Sequence, residues 1–437
     1  MKDNYLRFSK FIITLIWVLL VCFQTRVLGD KTNAIAVRNQ IYYLEDFGGI
    51  PDSQFFGHDA STYEAFQHTL FSDHLNNSKK WHPSEGNNVN KSELKDLCLT
   101  NRKAFNLALQ TVKPGDTIQI RDGEGYTLSG GVYGEYLQNI TIDFAGHLYF
   151  CHDMNIWPYS QFQDSFSPPN RYVPAIQITK SRYITLTSST TTRPEVIYNM
   201  DAQRIELINN KNQLGGMIDG NGKPWWKACY LRKLPDPGCS DRPRLLHISK
   251  SADVLVEHLT LINSPYWTFT IEAIDAEIRY VNVLVDRNFQ QFLHHEYVQE
   301  SSAMERKLND KVKNLRPNFK KVRSPLPDNA LQPLNLNTDG IDAIGLNIWI
   351  HDCMVLNDDD SICIKPATKN NTINWIKHDD SQTMKYDCTQ YIIVENAVLT
   401  GFGATIGSVG PSPFHNCVDN VIFRNVTMPK TGKGKTG

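Results

Sequence analysis

Residues 254–261, VLVEHLTL, give the clearest indication of the fold, because their apolar side chains fall at offsets 0, 2, 5 and 7. In an extended strand, alternation puts Val254 and Val256 on one side. Leu259 and Leu261 resume the alternation after an odd step. The odd step predicts a two-residue bend between two short strands.

The same spacing recurs four times further along the chain. The copies are Ile278/Tyr280/Val283/Val285, Ile348/Ile350/Cys353/Val355, Ile392/Val394/Ala397/Leu399 and Val421/Phe423/Val426/Met428, with weaker beginnings at Ile140/Ile142 and Ile184/Leu186. An Asn or Asp occupies the bend in three copies (Asn282, Asp352, Asn425). Successive copies begin 24, 70, 44 and 29 residues apart, so the short steps suit one coil of stacked parallel strands.

This repeat predicts an all-β chain folded as a single-stranded parallel β-helix, or solenoid. A β-sandwich with regularly spaced strands is the alternative. We favour the solenoid, because few hairpin-type turn dipeptides separate the copies.

The remaining segments fit one elongated domain at residues 30–437. Residues 100–112 have helical apolar spacing, which predicts an N-terminal capping helix. Polar insertions are predicted at about 50–97 and 287–336. The second holds eight Lys/Arg within 306–323 against Asp310. This basic cluster is either a solvated loop or a flap beside a site for an acidic polymer.

Residues 1–29 have the pattern of a secretory signal peptide, with an apolar run at 11–23. An uncleaved anchor is the alternative. Cleavage would remove a net charge of +3 and take the chain from −1 to −4. We therefore expect a secreted, extracellular monomer that has no membrane association after cleavage. With 45 Lys+Arg against 46 Asp+Glu, no global positive field exists to attract nucleic acid.

Eight cysteines remain after residue 29, an even number that permits disulfides in a secreted chain. Cys229–Cys239 would close a short loop and Cys388–Cys417 would clamp a segment, whereas Cys353 and Cys363 suit buried thiols. Five glycosylation sequons also suit a secretory route. They begin at Asn76, Asn90, Asn139, Asn370 and Asn425.

Two acidic runs lie about one coil apart. They are NTDGID at 337–342 and NDDDS at 357–361. If the coils stack, Asp339 meets Asp359 and Asp360 on one face. Carboxylates brought together in this way serve metal binding or acid/base catalysis. The competing interpretation is a ladder of Asx turns, which would suit Asp342 and Asp358.

Further motifs occur in a characteristic order. They are DFGG at 46–49, MIDGNG at 217–222 with Trp225-Trp226, RPRLL at 242–246, NSP at 263–265 with Trp267, the two acidic runs, and GFGATIGSVG at 401–410. Together they resemble the polygalacturonase family of glycoside hydrolases over about residues 42–428. The resemblance implies a right-handed parallel β-helix acting on acidic, plant-type cell-wall polysaccharide (pectin).

Carried over by position, the resemblance implies that Asp359 is the general acid, while Asp339 and Asp360 activate the attacking water. This is an inverting single displacement with no metal or cofactor, and it predicts acid and base about 6.5–9.5 Å apart. The implied substrate-binding residues are Asn337, Lys365, Gly401, Gly403 and Ser408.

Two departures from the family pattern stand out. Phe402 occupies the position of a family His that tunes the acid, and Phe cannot share a proton. His415 is a nearby candidate substitute, although a lone His is more often structural. The chain ends at KTGKGKTG, where Lys433 and Lys435 are weak counterparts of a basic Arg-Ile-Lys pair. We therefore expect the solenoid to end about one coil early, as in a truncated chain.

Two other functions stay open at this point. A calcium-dependent pectate lyase shares the architecture, and the Asp-Asp pair could bind calcium. A non-catalytic cell-wall polysaccharide binder would explain Phe402. The sequence leaves endo or exo action and the particular glycan undecided.

Overall fold

The computed structural model describes residues 39–55, 91–160, 171–191, 193–199, 204–208, 215–231, 233–236, 239–287, 289–291, 293, 336–367, 371–374, 383–410 and 416–429. The chain divides into two compact units, Met1–Asn39 and Gln40–Gly437. The fold below is that of the second unit. The signal-peptide segment 1–29 and the basic cluster 306–323 lie outside the described residues.

Short strands make up most of the described chain. They are β1 (Ile41–Tyr43), β2 (Thr117–Ile120), β3 (Gly125–Leu128), β4 (Val132–Glu135), β5 (Gln138–Phe144), β6 (His147–Phe150), β7 (Tyr159–Ser160), β8 (Arg171–Tyr172), β9 (Ile176–Thr179), β10 (Arg182–Thr187), β11 (Glu195–Asn199), β12 (Arg204–Ile208), β13 (Met217–Asp219), β14 (Leu246–Glu257), β15 (Thr260–Ile262), β16 (Phe269–Arg279), β17 (Asn282–Leu284), β18 (Ile341–His351), β19 (Met354–Leu356), β20 (Asp360–Ile364), β21 (Asn371–Asn374), β22 (Thr383–Tyr386), β23 (Thr389–Leu399), β24 (Gly403–Ile406) and β25 (Val418–Thr427). The α-helices are α1 (Asp52–Phe55), α2 (Lys91–Thr111) and α3 (Gly222–Tyr230), and Leu44–Phe47 and Met154–Ile156 form 3-10 turns.

The strands stack into three parallel faces. Face A runs through β1, β2, β5, β10, the second halves of β14, β16 and β18, and then β23 and β25. Face B runs through β3, β6, β13, β15, β17 and β19 to the end of β23. Face C runs through β4, β9, the first halves of β14, β16 and β18, and then β20 and β24.

Because the main sheet is parallel throughout these pairings, the predicted all-β parallel β-helix is confirmed and the β-sandwich is excluded. Parallel crossovers of this kind are right-handed in nearly all proteins. Among the described residues, the antiparallel strand pairs are β7–β8, β11–β12 and β21–β22, and Ala367 forms an isolated antiparallel bridge with Cys417.

The inward residues form a continuous core, but one copy of the predicted repeat was out of register. Val254 pairs with Ala276 and Val256 with Ile278, so the second copy is Ala276/Ile278/Val281/Val283. Tyr280, assigned to the core by the sequence pattern, is 47% exposed. A shift of two residues conserves the alternation, which is why the pattern alone did not detect it.

The bend between faces A and B has one conformation in all five copies. Its second residue is left-handed, with φ between 50° and 58°, at His258, Tyr280, Asp352, Asn396 and Asn425. Asn and Asp adopt this conformation more readily than most residues, which explains their frequency here. Asn282, predicted at a bend, instead begins β17.

The predicted N-terminal helix is longer than expected, because α2 begins at Lys91 rather than near residue 100. Phe105, Ala108 and Leu109 pack into the main core cluster, whereas Leu107 is exposed. The helix contacts β3 and β4 at the N-terminal end of the solenoid. Of the predicted insertion 50–97, residues 56–90 lie outside the described residues, and residues 91–97 belong to α2.

The cysteines agree with the sequence-based expectation. Cys229–Cys239 and Cys388–Cys417 are disulfides, as is Cys98–Cys151, and Cys353 and Cys363 are free and buried. Among the sequons, Asn139 and Asn425 are exposed, while Asn76, Asn90 and Asn370 lie outside the described residues. None of the described helices is long and apolar enough to span a membrane.

Candidate active site

Successive turns between faces B and C bring the two acidic runs together. Asp339 lies two residues before β18, and Asp360 begins β20 on the next coil. The backbone N–H of Gly340 donates to the carbonyl of Asp360 at 2.8 Å. This pairing fixes one acidic turn beside the other, as the one-coil spacing predicted.

Asp339, Asp359 and Asp360, here called the acidic cluster, each place one carboxylate oxygen within 4.8 Å of the others. Asp339 and Asp359 are 3% and 4% exposed, and Asp360 is partly exposed. Three carboxyls held this close in a largely buried site cannot all carry a negative charge without a large electrostatic cost.

A single ammonium group lies among these carboxylates. Lys365 Nζ is 3.3 Å from Asp339 Oδ2, 3.1 Å from Asp342 Oδ1 and 3.8 Å from Asp360 Oδ2. Asp342 has no exposed surface. It lies within β18, so it is a partner of the cluster and not the Asx-turn residue that the sequence also allowed.

Burial and charge shift the proton affinities at this site. Burial raises the pKa of Asp339 well above its usual value, and the nearby carboxylates of Asp342 and Asp359 raise it further. Burial also raises the pKa of Asp342 to about 6, although Lys365 opposes the rise. Burial alone would lower the pKa of Lys365, but the carboxylates of Asp342 and Asp339 raise it above its usual value. The arrangement therefore favours the protonated forms of Asp339 and Asp342 more than in a free aspartate, and it favours the charged form of Lys365.

Buried hydrogen bonds hold the turn that carries Asp359. The Asn357 side chain donates to the carbonyls of Thr338 and Asp360, at 3.0 and 2.8 Å, and so links both acidic turns. The hydroxyl of Ser361 donates to Asn357 Oδ1 at 2.8 Å. The sequence pattern gave Asn357 no role, although its place before three aspartates was a usable signal.

Gly401 lies against the backbone of Asp359. Its φ is 52°, and an added Cβ would come within 2.1 Å of the Asp359 carbonyl oxygen. The next residue, Phe402, donates its backbone N–H to that same oxygen at 2.9 Å, and its side chain is 40% exposed. Gly403 pairs with Asp360 across the coils. Gly401 and Gly403 thus support the backbone of the cluster.

Two other residues carried over by resemblance, Asn337 and Ser408, are described by the structure. Asn337 is left-handed (φ 46°) and partly exposed, two residues before Asp339. Ser408 is exposed beyond the end of β24. Asp358 forms an ion pair with Arg287, with 2.5 Å between Oδ1 and Nε. His415, Lys433 and Lys435 lie outside the described residues.

An aromatic side chain adjoins the cluster. Thr268 donates its backbone N–H to the Asp339 carbonyl at 2.8 Å, which places Trp267 on the coil before the acidic turns. The Trp267 ring lies 4.8 Å from the Arg244 guanidinium and 5.1 Å from Lys365 Nζ. Such cation–π contacts orient both cations. Trp267 and Arg244 were part of the recognised motifs, but the sequence alone assigned them no contact with the aspartates.

The acidic cluster is the group of carboxylates, among the described residues, that lies close enough to share a metal ion. The ammonium of Lys365 already contacts two of its members, and it competes with any cation for them. The oxygens also approach more closely than the 6.5–9.5 Å expected for an inverting pair. The anomeric configuration of the products therefore distinguishes a single displacement from a double one.

Comparison with known proteins supports the residue pattern. The model of Glycosyl hydrolases family 28 matches residues 173–435, which is more than half of the chain. A probable exopolygalacturonase B from Aspergillus fumigatus is 20% identical over 329 residues, covering 74% of this chain and 52% of that protein. A probable endo-xylogalacturonan hydrolase A from Aspergillus flavus is 24% identical over 221 residues, covering 50% and 38%.

The chain is also similar, at low identity, to solved structures. The family 28 exopolygalacturonase of Yersinia enterocolitica has a TM-score of 0.48 at 14% identity, covering 90% of this chain and 59% of that one. The endo-xylogalacturonan hydrolase of Aspergillus tubingensis has a TM-score of 0.47 at 19% identity, covering 75% and 61%. The chain spans about half the length of the Aspergillus fumigatus protein. By the match over residues 173–435, the chain belongs to family 28 of the glycosyl hydrolases.

Proposed function

We propose that this chain is a secreted, monomeric glycoside hydrolase that cleaves O-glycosidic bonds in pectin-type polysaccharide. The observation that carries the proposal is the convergence of Asp339, Asp359 and Asp360 within 4.8 Å in a largely buried site. Glycoside hydrolysis uses such carboxyls as a proton donor to the leaving oxygen and as a base for water.

The proposed roles are those that the family resemblance implies for each carboxyl. Asp359 protonates the departing oxygen, and Asp339 and Asp360 hold and activate the attacking water in a single, inverting displacement. The raised pKa of Asp339 supports this scheme, because the buried, crowded carboxyls bind a proton more tightly than a free aspartate does. Carboxyls this close exchange and release protons as a group, so a proton held at Asp339 can serve Asp359.

An acidic pectic glycan is the proposed substrate because of family membership and the relatives' names, which refer to polygalacturonases and a xylogalacturonan hydrolase. We place substrate contacts at Asn337, Ser408 and the Phe402 side chain around the cluster. The resemblance also gave Gly401, Gly403 and Lys365 to the substrate. An added Cβ would meet the Asp359 backbone at Gly401 and the Met428 side chain at Gly403, and Lys365 contacts the aspartates.

The test is a reducing-sugar assay of a full-length clone on a panel of pectic polymers, comparing the wild type with Asp359→Asn. Asp352→Asn is the matched control, because Asp352 lies at the bend between faces A and B and contacts His351 at 2.6 Å. We expect Asp359→Asn to lose about 10³-fold in rate and the control to keep the wild-type rate. Cleavage of no glycan by the wild type would refute the hydrolase.

The products decide between mechanisms. NMR of the first-formed anomer should show inversion, whereas retention would point to a covalent intermediate and contradict the single displacement. Unsaturated, ultraviolet-absorbing products that disappear with EDTA would instead identify a calcium-dependent lyase.

A non-catalytic polysaccharide binder is the second candidate, and Phe402 is the observation that favours it. An exposed phenyl ring beside the acidic turn can stack on a sugar but cannot share a proton. Retained glycan binding by wild type and Asp359→Asn, with no reducing ends released by either, would support this function.

A further inference from the structure

Lys365 is enclosed by groups of its own chain. Its side chain is 11% exposed. The ammonium has three donors, and three carboxylates lie within 3.8 Å of it, those of Asp342, Asp339 and Asp360. The Trp267 ring covers another side at 5.1 Å. The Lys365 ammonium therefore has little surface left with which to bind a polysaccharide.

Asp342 is the nearest and most deeply buried of these partners. It has no exposed surface, and its side chain points outward from face C, because its neighbours Ile341 and Ala343 fill the core. In register, Asp342 pairs with Cys363 on the next coil, two residues before Lys365. Regular strand pairing therefore sets the Asp342–Lys365 contact, and the contact does not depend on a loop conformation.

We propose that Lys365, anchored by Asp342, is a positioning residue that holds Asp339 and Asp360 in place and sets the charge of the acidic cluster, and that it does not bind substrate. The proposal rests on the proposed function and deepens it. The ammonium offsets repulsion among the carboxylates, and the Asp342 anchor fixes where that compensating charge lies.

The surroundings of the pair contain several charged or titratable groups that a pH experiment must consider. They are Asp339, Asp359 and Asp360 of the cluster, the Cys363 thiol, and the Arg244 guanidinium, which acts on Asp342. Burial raises the pKa of Cys363 to about 12, so the thiol stays neutral in the range tested. Arg244 stays charged throughout.

The experiment measures kcat and KM against pH on the cleaved pectic polymer. It compares the wild type with Lys365→Met, Lys365→Arg and the double variant Asp342→Asn/Lys365→Met. Lys180→Met is the matched control, because Lys180 forms a 2.7 Å pair with Glu135, on the coils near β4 and β9. The double variant removes both buried charges together, which keeps a folded protein available if Lys365→Met fails to fold.

We expect Lys365→Met to lower kcat about 10²-fold and to change KM less than about 3-fold. The acidic limb of its kcat–pH profile should move about one pH unit or more upward, because the carboxyls lose a nearby cation. In the double variant, the acidic limb should move back toward its wild-type pH, because one negative and one positive charge are removed together, while kcat stays low. Lys365→Arg should recover part of kcat, and Lys180→Met should match the wild type.

A rise in KM at constant kcat in Lys365→Met would identify a substrate-binding lysine and overturn the proposal. Wild-type kcat in the folded double variant would overturn it too, since the pair would then serve folding alone. If the wild type cleaves no glycan, the proposed function fails by itself. Titration of the aspartate carboxyls by ¹³C NMR in the same variants still tests whether Lys365 sets their charge.

Discussion

Two charged regions at different bends of the coil use the same coil-to-coil register with opposite results. On face A, an outer ladder consists of Glu257, Glu277, Arg279, His351, Glu395 and Arg424. Arg279 contacts both Glu257 and Glu277 at 2.7 Å, so each carboxylate meets a cation. In the acidic cluster, like charges stack next to like charges in a buried setting.

The outer ladder has the charge pairing expected of a stabilising region, whereas the crowded acidic cluster has the charge pattern expected of a functional site. Equivalent positions on neighbouring coils lie side by side, so side chains of opposite charge at these positions readily form ion pairs. The acidic cluster departs from that rule, and Lys365 compensates only in part, since Asp339 still has a raised pKa. Departures of this kind are expected at functional sites, where stability is given up for activity.

The largest difference between the two regions should appear when one acid in each is replaced by its amide. Asp339→Asn should lower the hydrolysis rate about 10³-fold. It should also raise the free energy of unfolding by about 1–2 kcal/mol near pH 7, because a repelled buried carboxylate is gone. Glu277→Gln in the outer ladder should keep the rate. Parallel assays and denaturant melts check both, and an Asp339→Asn enzyme with wild-type rate would contradict the assignment.

A second prediction concerns the backbone beneath the cluster. Gly401→Ala should reduce kcat about 10- to 100-fold, because the added methyl forces the Asp359 carbonyl to move. Gly123→Ala is the control, since Gly123 also has a positive φ (76°) but no atom within 4 Å of the added Cβ. Both variants should lose roughly 1 kcal/mol of stability through backbone strain. Equal kcat in the two variants would show that Gly401 does not hold the acidic turn.

The pH dependence of stability should have opposite signs in the two regions. Asp339 has a folded-state pKa above its usual 3.8, so its contribution is complete below that value and is lost as pH rises through the folded pKa. The hydrogen bond from Arg424 lowers the pKa of Glu395, whose contribution is present at neutral pH and is lost as pH falls. Denaturant melts from pH 3 to 8 should show Asp339→Asn removing the first slope and Glu395→Gln the second. Like-signed changes in both variants would contradict this electrostatic account.

The smallest effect should come from the exposed end of the outer ladder. The Arg424 side chain is 61% exposed, and it pairs with Glu395 across one coil. Exposed pairs contribute little, so Arg424→Gln should change the free energy of unfolding by about 0.5 kcal/mol or less. The difference in the free energy of unfolding should vanish in 1 M salt, where the Debye length is only about 3 Å and exposed charges are strongly screened. A larger, salt-independent loss would mean that the pair supports packing.

Much of the fold was readable because the repeat is written in apolar alternation. The offsets at 254–261, 348–355 and 392–399 located strands that all lie on faces A and B. The copy at Tyr280 failed, because a two-residue shift leaves alternation intact and only pairing with Val254 and Val256 fixes the register. The length of helix α2 was underestimated: Leu94, Leu97 and Cys98 in its first two turns have helical spacing, but they lie within an otherwise polar segment.

The candidate site was readable to a lesser depth. The spacing of the two acidic runs predicted that Asp339 would meet Asp359 and Asp360, and the coils place them together. The contacts of Asp342, Asn357 and Lys365 were not predictable. They depend on which side of a strand each residue faces and on which coil lies next to it.

By itself, the sequence determined the parallel solenoid, the placement of the acidic runs on adjacent coils and the family to which the chain belongs. These follow from local period and motif order, which a linear chain carries directly. Only the tertiary structure decided the charge balance at the site. Burial, the 3.1–3.8 Å contacts of Lys365 and the shifted pKa values arise from groups distant in sequence that share one low-dielectric space.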